Sequence, residues 1–305
     1  MIGGAGGATV SPRVVVVTRP TELEALLARH GTREQARFFI EQRGRCLSEV
    51  EERHARRERA LGLVWAAMPL RWRRTHVDRA DLSRFVFGPE DMIIVVGQDG
   101  LVANAAKYLT GQPVIGVNPD RDLYDGVLVR HEPEVVRDLL RPAAEGRCRS
   151  EARTMVEATT DDGQRLLALN EIFIGHRTHQ SARYRIRWGR KEEIQSSSGV
   201  IVASGTGATG WACSIARQKG TAARLPTPTD GQVAFFVREP FPSHATGTSI
   251  EQGAFAAPEV LTICSEMNEA GTVFGDGIED DRIDLAWGMR LEIGVSPTRL
   301  NLIAG

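Results

Sequence analysis

The sequence lacks the features that mark several common classes of protein. Its four cysteines, Cys46, Cys148, Cys213 and Cys264, are scattered without the spacing of a metal site, so we expect reduced thiols in a reducing compartment. No window approaches the length and apolar character of a transmembrane helix, and the first residues lack the apolar core of a signal peptide. The net charge of −1 gives no reason to expect nucleic acid or a membrane as a partner. We therefore expect a cytoplasmic protein.

Two motifs that would identify a reaction are also missing. The glycine-rich stretch at 204–211 has neither the lysine of a P-loop nor the Gly-x-Ser-x-Gly pattern of a hydrolase elbow. Lysine is scarce in the whole chain, which contains only Lys107, Lys191 and Lys219. What is present, 42% hydrophobic and 25% charged residues, is typical of a globular protein. The length of 305 residues favours two domains of ordinary size.

The most informative stretch lies between 91 and 119. An apolar, β-branched run at Met92–Val96 predicts a buried strand, and the glycine turn at 97–100 ends it. A helical pattern follows, and a second apolar strand is expected at 114–117. Open α/β sheets bind ligands at the carboxyl ends of their strands, which places Asp99 where chemistry usually occurs. A plain helix-capping role for Asp99 remains the alternative.

The first half of the chain alternates strands and helices up to about residue 145, which predicts a parallel, doubly wound sheet. Capping-box patterns that begin at Thr21, Thr32 and Ser48 predict three helix starts. A further strand is expected near 70–75. The third helix begins with the arginine-dense segment EERHARRERA, for which we favour a solvated helix face over a phosphate-binding patch.

The second half is dominated by strand signals. Tyr184, Ile186 and Trp188 alternate with arginines, as expected of a strand with one buried and one solvated face. A single helix is predicted at 211–218. We therefore expect a domain boundary near 145–152, with an α/β domain at 1–148 and a β-rich domain at 149–305, and leave open whether the last residues pack back on the first domain. The predicted strands are 154–158, 165–169, 199–203, 233–237, 260–264, 289–295 and 298–303.

Polar clusters interrupt the apolar patterning of the second half at three places. Asn170-Glu171 lies between two hydrophobic runs, where burial is costly unless a ligand or partner compensates; a solvated strand end is the equal alternative. At 204–211, glycines that allow close backbone approach and several hydroxyl groups precede a helix start, which favours anions. Asp276, between two glycines, indicates a turn by itself. His176 and His179 are expected in a surface loop, and no metal site is predicted.

Taken together, these motifs resemble the NAD kinases in order and spacing. The segments PVIGVN, ALNE-hydrophobic-FIG and REP are most similar to the mitochondrial-type NAD kinases, and the likeness covers most of residues 13 to 300. The motifs that carry the resemblance are GQDG at 97–100, VIGVN at 114–118, ALNE at 168–171, TGATGW at 206–211 and DG at 276–277.

The resemblance implies a Rossmann-like α/β domain, a β-sandwich-like domain and a homodimer. It also implies ATP-dependent phosphorylation of the 2′-hydroxyl of the adenosine ribose of NAD, giving NADP, with Mg²⁺ bound to the donor phosphates. Asp99 would be the catalytic residue that accepts the ribose proton. The residues that would bind the acceptor are Asn170, Glu171, Ser198, Thr206, Thr209, Gly210, Trp211 and Ser214. Those that would bind the donor phosphates are Gly97, Gln98, Gly100, Asn118, Asp276 and Gly277.

The glycine turn departs from the family pattern, which is Gly-Gly-Asp-Gly-Thr. Gln98 replaces the second glycine, a position beside a triphosphate that often requires positive φ or close backbone approach. Leu101 replaces the threonine and removes a hydroxyl donor to phosphate. Two alternatives therefore stay open: a kinase of the same fold that phosphorylates a ribose hydroxyl of another nucleoside or nucleotide, and a non-catalytic dinucleotide-binding module.

Overall fold

The computed structural model describes residues 12–219 and 225–304 and divides into two compact units. Unit 1 holds the described residues of Met1–Val102, Gln112–Ser150 and Leu302–Gly305, and unit 2 holds Ala103–Gly111 and Glu151–Asn301. The chain passes from unit 1 to unit 2 near residue 150, with two exceptions. The segment 103–111 groups with unit 2, and the end of the chain groups with unit 1.

Unit 1 is built on a parallel sheet with the strand order β2-β1-β3-β4. The five residues of β3 are all buried, as the continuous apolar run predicted. Helices α3 and α5 pack on the sheet through Val64 and Leu140, which contact the cluster around Ile94. The elements of this part of the chain are β1 (Arg13–Thr18), α1 (Glu22–His30), α2 (Arg33–Glu41), α3 (Leu47–Ala67), β2 (Arg73–Asp78), β3 (Met92–Val96), α4 (Asp99–Ala106), β4 (Pro113–Val117) and α5 (Val136–Ala144), with 3₁₀ turns at Arg79–Arg84 and Pro133–Val135.

The predicted helix starts are confirmed at two of three sites. Thr21 forms a capping box with Glu24 at the start of α1, and the Thr32 hydroxyl accepts a hydrogen bond from the N–H of Gln35 at the start of α2. The third prediction was wrong, because α3 begins at Leu47, before Ser48, and has no side-chain cap. No described helix is both long enough and apolar enough to cross a lipid bilayer.

Unit 2 is a sandwich of two antiparallel layers around one apolar core. One layer has the strand order β12-β11-β10-β7-β14-β15; the other contains the run β9-β8-β13-β16 together with β5 and β6. The elements are β5 (Ser150–Thr160), β6 (Arg165–Ala168), β7 (Glu171–His176), β8 (Ala182–Trp188), β9 (Lys191–Ser197), β10 (Val200–Ser204), a 3₁₀ turn (Gly207–Thr209), α6 (Trp211–Gln218), β11 (Gln232–Val237), β12 (Gln252–Ala256), β13 (Leu261–Ser265), β14 (Gly271–Gly275), β15 (Ile278–Asp284) and β16 (Arg290–Ile303).

The expected fold class, an α/β part followed by a β-rich part, is confirmed. The alternation in β8 is also confirmed: Tyr184 and Ile186 are buried and Trp188 is half-buried, while the arginines that alternate with them are exposed. Two details were wrong: the strands predicted at 289–295 and 298–303 form the single strand β16, and the strand expected near 70–75 begins only at Arg73. Strands such as β15, with the sequence IEDDRID, were missed because they carry no apolar run.

Candidate active site

The glycine turn of unit 1 follows β3 and leads directly into α4. The N–H of Gly97 donates to the carbonyl of Val117 at 3.0 Å, and the N–H of Leu101 donates to the carbonyl of Gln98 at 2.9 Å. Among the described residues other than glycine, positive φ occurs at Glu239, Ala270 and Asp276. Gln98 therefore occupies the second position of the turn without the positive φ that we anticipated there.

The two departures from the family turn are both accommodated locally. The carboxamide oxygen of Gln98 accepts a hydrogen bond from Arg19 Nη2 at 2.7 Å. Leu101 is buried, and a Cβ at Gly97 would lie 3.1 Å from Leu101 Cδ2. Gln98 is therefore oriented by an arginine, and Leu101 fills space beneath the turn where the family pattern has a hydroxyl.

Asp99 is held by the loop that follows β4. Its carboxylate accepts backbone N–H groups from Val127 at 3.0 Å, Leu128 at 2.8 Å and Val129 at 3.0 Å. Gly116 lets this loop lie directly on β4, since a Cβ there would lie 2.1 Å from the carbonyl oxygen of Leu128. Oδ1 accepts two of the N–H groups and Oδ2 only one, so Oδ2 keeps acceptor capacity for a ligand hydroxyl.

Asn118 shapes the same loop. Its side-chain oxygen accepts the N–H of Asp120 at 2.9 Å, and its side-chain nitrogen donates to the carbonyl of Tyr124 at 2.9 Å. The residue is buried, so its amide is engaged by the loop. Its contact with donor phosphates stays a prediction.

A cavity of about 190 Å³ lies beside the glycine turn in unit 1. The arginine-dense part of α3 contributes Arg53, His54 and Arg57 to its wall, where they remain partly exposed. The charged and polar residues that line it are Arg19, Thr21, Glu22, Arg53, His54, Arg57, Gln98, Asp120 and Tyr124.

In unit 2, the polar clusters at 170–171 and 204–211 lie against each other. The N–H of Ser204 donates to the carbonyl of Asn170 at 2.9 Å. A Cβ at Gly207 would lie 2.2 Å from the same carbonyl oxygen, so only glycine allows this approach. Thr206 is buried, and its hydroxyl accepts a long hydrogen bond from Arg153 Nη1 at 3.4 Å, which gives it a structural partner.

Asp276 lies against the polar cluster at 169–171. Asp276 and Gly277 have φ values of 54° and 68° and form the tight hairpin turn between β14 and β15. The carboxylate accepts the backbone N–H groups of Leu169 at 2.8 Å, Asn170 at 2.7 Å and Glu171 at 3.3 Å. These contacts join Asp276 to the backbone of the predicted acceptor-binding pair, and its role with donor phosphates stays a prediction.

The carboxyl groups of Glu171 and Asp276 have unusual acidities. Burial, and secondarily the charge on Asp276, raises the pKa of Glu171 to about 7. Burial also raises the pKa of Asp276 to about 6, although its backbone hydrogen bonds and the ammonium group of Lys107 oppose that rise. Carboxyl groups with strongly raised pKa values are common at functional sites.

The start of α6 presents an aromatic surface next to these residues. Trp211 stacks on Phe173 with ring centroids 5.9 Å apart and an interplanar angle of 12°. The guanidinium carbon of Arg238 lies 5.2 Å from the Trp211 ring centroid, and the N–H of Ser198 donates to the Arg238 carbonyl at 2.9 Å. Thr209 is exposed at the same end. Gly210 and Ser214, where the Ser214 hydroxyl lies 3.5 Å from the Gly210 carbonyl, are exposed with it.

Sequence reasoning noticed but did not assign several residues that the structure brings to these sites. Arg238 is part of the REP segment, and the α3 arginines stood in a recognised arginine-dense run. In the sequence, Phe173 looks like an ordinary strand residue. Only its stacking on Trp211 shows that it belongs to the candidate site. Periodicity gave no indication of which face of α3 would meet the glycine turn.

One group of side chains among the described residues brings several possible metal ligands close together. Ligand atoms of Glu24, His54 and Glu58 lie within 4.8 Å of one another. Both carboxylates are exposed, and Nδ1 of His54 lies 2.9 Å from the Thr21 hydroxyl. Exposed acidic groups of this kind form without a metal, so the group is consistent with the expectation that no protein metal site exists but does not test it.

No protein-family model matches the chain. Among curated proteins, the NAD kinase of Methylococcus capsulatus is 33% identical over 132 residues, covering 41% of this chain and 44% of that protein. The NAD kinase of Chlorobaculum tepidum is 28% identical over 142 residues, covering 45% and 47%. The chain thus matches less than half the length of these relatives.

Solved structures match the chain over most of its length. An NAD kinase from Archaeoglobus fulgidus in complex with ATP has a TM-score of 0.56 at 18% identity and covers 95% of this chain and 93% of that one. Yeast NADH kinase complexed with NADH has a TM-score of 0.57 at 13% identity and covers 97% and 84%. This chain has the NAD kinase fold. Within the NAD kinase fold, its glycine turn lies in the α/β unit, and its Asn170-Glu171 pair lies in the β-rich unit.

Proposed function

We propose that this protein is an ATP-dependent phosphotransferase that phosphorylates the 2′-hydroxyl of the adenosine ribose of NAD, giving NADP. The observation that carries the proposal is the glycine turn, which places Asp99 at the carboxyl end of a parallel strand in a chain with the NAD kinase fold. Partial sequence similarity to NAD kinases supports it. The PVIGVN, ALNE and REP segments further support a relation to the mitochondrial-type enzymes.

The acceptor half of the reaction is assigned to unit 2. Asn170 and Glu171 offer an amide and a carboxyl group for a nucleoside, and Trp211 offers an exposed ring for stacking on a base. Asp276 fixes the backbone that carries the pair. This arrangement suits recognition of a nucleoside by hydrogen bonds and stacking.

The donor half is assigned to unit 1. Gly97, Gln98 and Gly100 form the turn beside the unit 1 cavity. In this proposal the cavity receives the donor phosphates. Phosphoryl transfer needs chiefly positioning, neutralisation of charge and one proton acceptor. In this proposal Asp99 Oδ2 accepts the proton of the attacking ribose hydroxyl.

Mg²⁺ would accompany the donor phosphates and neutralise their charge. The carboxylates that line the unit 1 cavity, Glu22 and Asp120, are each paired with an arginine. Because an arginine already occupies each carboxylate, these residues fit a Mg²⁺ ion that takes most of its ligands from phosphate and water. Mg²⁺ is commonly bound in this way. We also propose a homodimer, which light scattering on the purified protein tests.

The proposal is tested by incubating the protein with Mg-ATP and, separately, NAD, NADH and a panel of nucleosides. Conversion of NAD to a product that an NADP-specific dehydrogenase reduces, with ADP formed in equal amount, is the expected result. Product from a nucleoside alone would favour the alternative of a kinase with the same fold that phosphorylates a ribose hydroxyl of another nucleoside or nucleotide. The altered turn at Gln98 and Leu101 is the reason for this alternative. Absence of any phosphorylated product would favour the binding module.

A further inference from the structure

The segment 103–111, which belongs to unit 2, carries one of the three lysines of the chain. Lys107 is buried, with 2% of its side chain exposed. Burial of an ammonium group costs free energy unless charged and polar partners compensate for the lost water. The partners of Lys107 therefore show where its charge acts.

Lys107 contacts the hairpin of β14 and β15 on both sides of its turn. Its Nζ donates to the carbonyl of Gly275, the last residue of β14, at 3.4 Å. The same atom lies 3.0 Å from Oδ2 of Asp281 in β15. Because the turn at 276–277 lies between these two residues, the ammonium group is held close to the turn.

Two further side chains of the segment reach the same hairpin. The side-chain nitrogen of Asn104 donates to the carbonyl of Asp276 at 3.1 Å, and the Tyr108 hydroxyl donates to Oδ2 of Asp281 at 2.6 Å. Residues 104, 107 and 108 have the spacing of one helix face. Together, these three side chains hold the hairpin turn.

Through Asp276, these contacts reach the predicted acceptor-binding pair. The Asp276 carboxylate accepts the backbone N–H groups of 169–171, whereas a protonated carboxyl group would bring an O–H donor toward those donors. Burial raises the pKa of Asp276 to about 6, while its backbone hydrogen bonds and the ammonium group of Lys107 oppose the rise. The charge of Lys107 therefore favours the form of Asp276 that holds this segment.

The other ionisable groups around Asp276 are carboxyl groups. Glu171, in β7, has its pKa raised to about 7 by burial and then by the charge on Asp276, so its own charge disfavours ionised Asp276 in return. Asp281, in β15, is ion-paired with Lys107. Of these three groups, Lys107 alone is a cation, and it alone opposes protonation of Asp276 by its charge.

We propose that Lys107 positions the acceptor-binding pair by acting through the carboxylate of Asp276. Its ammonium group favours the charged form of Asp276, which then accepts all three N–H groups. The backbone that carries Asn170 and Glu171 is thereby fixed before the acceptor binds. The inference rests on the proposed function, in which this pair binds the nucleoside.

The first test observes Asp276 without a ligand. Carboxyl-carbon NMR of the whole protein with isotope-labelled aspartate gives the pH midpoint of Asp276, whose resonance is the one missing from Asp276→Asn. Lys107→Gln removes the charge and keeps an amide donor. Its Asp276 midpoint should lie about one pH unit or more above that of wild type, which is the usual effect of losing a nearby opposite charge. The amide resonances of 169–171 should shift with the same midpoint.

Two further variants control for the loss of a lysine. Lys191→Gln, at an exposed position in β9, should leave the Asp276 midpoint unchanged, and Lys107→Arg, which keeps the charge, should keep the wild-type midpoint. An unchanged midpoint in Lys107→Gln, or an equal shift in Lys191→Gln, overturns the inference. If Lys107→Gln does not fold, Lys107→Met is measured with the same criteria.

The second test is calorimetric titration with NAD at about pH 7 and pH 9, and separately with Mg-ATP. At pH 7, where part of its Asp276 is protonated, Lys107→Gln should bind NAD about threefold or more weakly than wild type. At pH 9, where Asp276 is ionised in both proteins, the two should bind NAD almost equally, and Mg-ATP binding should differ by less than about twofold. A loss of NAD binding that is equal at both pH values would show a merely structural role and would overturn the inference.

Failure of the proposed function gives a different result from failure of this inference. If wild type forms no NADP while the Asp276 midpoint and the amide resonances of 169–171 respond to Lys107→Gln as expected, the positioning role stands and the kinase assignment falls. If wild type forms NADP while Lys107→Gln has an unchanged Asp276 midpoint and an unchanged KM for NAD, the kinase assignment stands and the positioning role falls.

Discussion

At the scale of single residues, two aspartates beside glycines hold loops by the same contact. Asp99 accepts three consecutive backbone N–H groups at 127–129, and Asp276 accepts three at 169–171. A carboxylate is suited to this because its two oxygens accept several hydrogen bonds and donate none. Each aspartate therefore positions a segment in addition to any chemical role.

We expect Asp276→Asn to raise the KM for the acceptor about tenfold and to leave the KM for ATP unchanged. The amide NH₂ of asparagine would face a backbone donor, which leaves at least one buried N–H unsatisfied, at a cost of about 1–3 kcal/mol in stability. Steady-state kinetics with each substrate varied in turn gives the two KM values. Asp280→Asn, at an exposed position on the same hairpin, is the control. A rise in the KM for ATP alone would instead support the predicted role of Asp276 in binding the donor phosphates.

We expect Glu171→Gln to gain stability relative to wild type as pH rises. The raised pKa, about 7 against an ordinary 4.5, means that the folded protein binds this proton more tightly than the unfolded chain. The stabilisation is complete below about pH 4.5 and is lost as pH rises through about 7. Glutamine is neutral throughout, so denaturant titrations should show the variant gaining about 1–3 kcal/mol between pH 5 and pH 8. The exposed Glu269→Gln is the control, and a pH-independent difference would contradict the prediction.

We expect Asp99→Asn to lower kcat by about 10²–10⁴-fold, the usual range for loss of a general base. The substitution also changes the anchor of the 127–129 loop, so hydrogen exchange at those three amides is measured in parallel. Loss of turnover with preserved protection supports proton transfer by Asp99. Loss of turnover together with loss of protection would make Asp99 a positioning residue, and near-full turnover would remove it from the reaction.

At the scale of elements, helix α3 differs most from its sequence-based interpretation. Three capping patterns looked alike in the sequence, yet the one at Ser48 lies inside the helix, which begins at Leu47. Leu47 and Val50 lie in one apolar cluster with residues of α1 and α2. The helix therefore starts at a buried residue, before the start that the capping pattern predicted.

This difference predicts unequal effects of two alanine substitutions. Thr21→Ala removes a capping-box hydrogen bond at the start of α1 and should cost about 1 kcal/mol of unfolding free energy. Ser48→Ala removes no cap and should change stability by less than about 0.5 kcal/mol. Chemical denaturation of both variants measures the difference, and equal costs would show that Ser48 does cap α3.

At the scale of the whole molecule, two units with separate cores account for the difference between the two halves of the sequence. The first half alternates strand and helix signals, and the second half is dominated by strand signals. The unit 1 core contains residues from parallel strands and helices, and the unit 2 core contains residues from two facing antiparallel layers. Continuous apolar strands such as β3 are expected in the first kind of core. The second contains alternating strands such as β8 and also fully buried ones such as β10, so the succession of strand signals with a single helix identified it. The short segment 103–111, which groups with unit 2, begins inside α4 and continues past its end, and no local signal marks where it begins.

The sequence by itself determined the fold class, the buried strand at 92–96, the alternation in β8 and the identity of the motif residues. These features depend on local chemistry: apolar runs, period-two patterns, glycine turns and caps repeat wherever the backbone requires them. The glycine-flanked aspartates were likewise visible from the sequence alone.

Only the tertiary structure decided what those motif residues contact. In the structure, Gln98 accepts a hydrogen bond from Arg19, and Asp276 accepts the backbone N–H of Asn170. The α3 arginines line the same cavity as the glycine turn. Each of these contacts joins residues far apart in the chain, at a separation of 79 for Gln98 with Arg19 and 106 for Asp276 with Asn170. Neither propensity nor periodicity reports such pairings, because both describe neighbours along the chain, whereas packing of the whole core selects which distant surfaces meet.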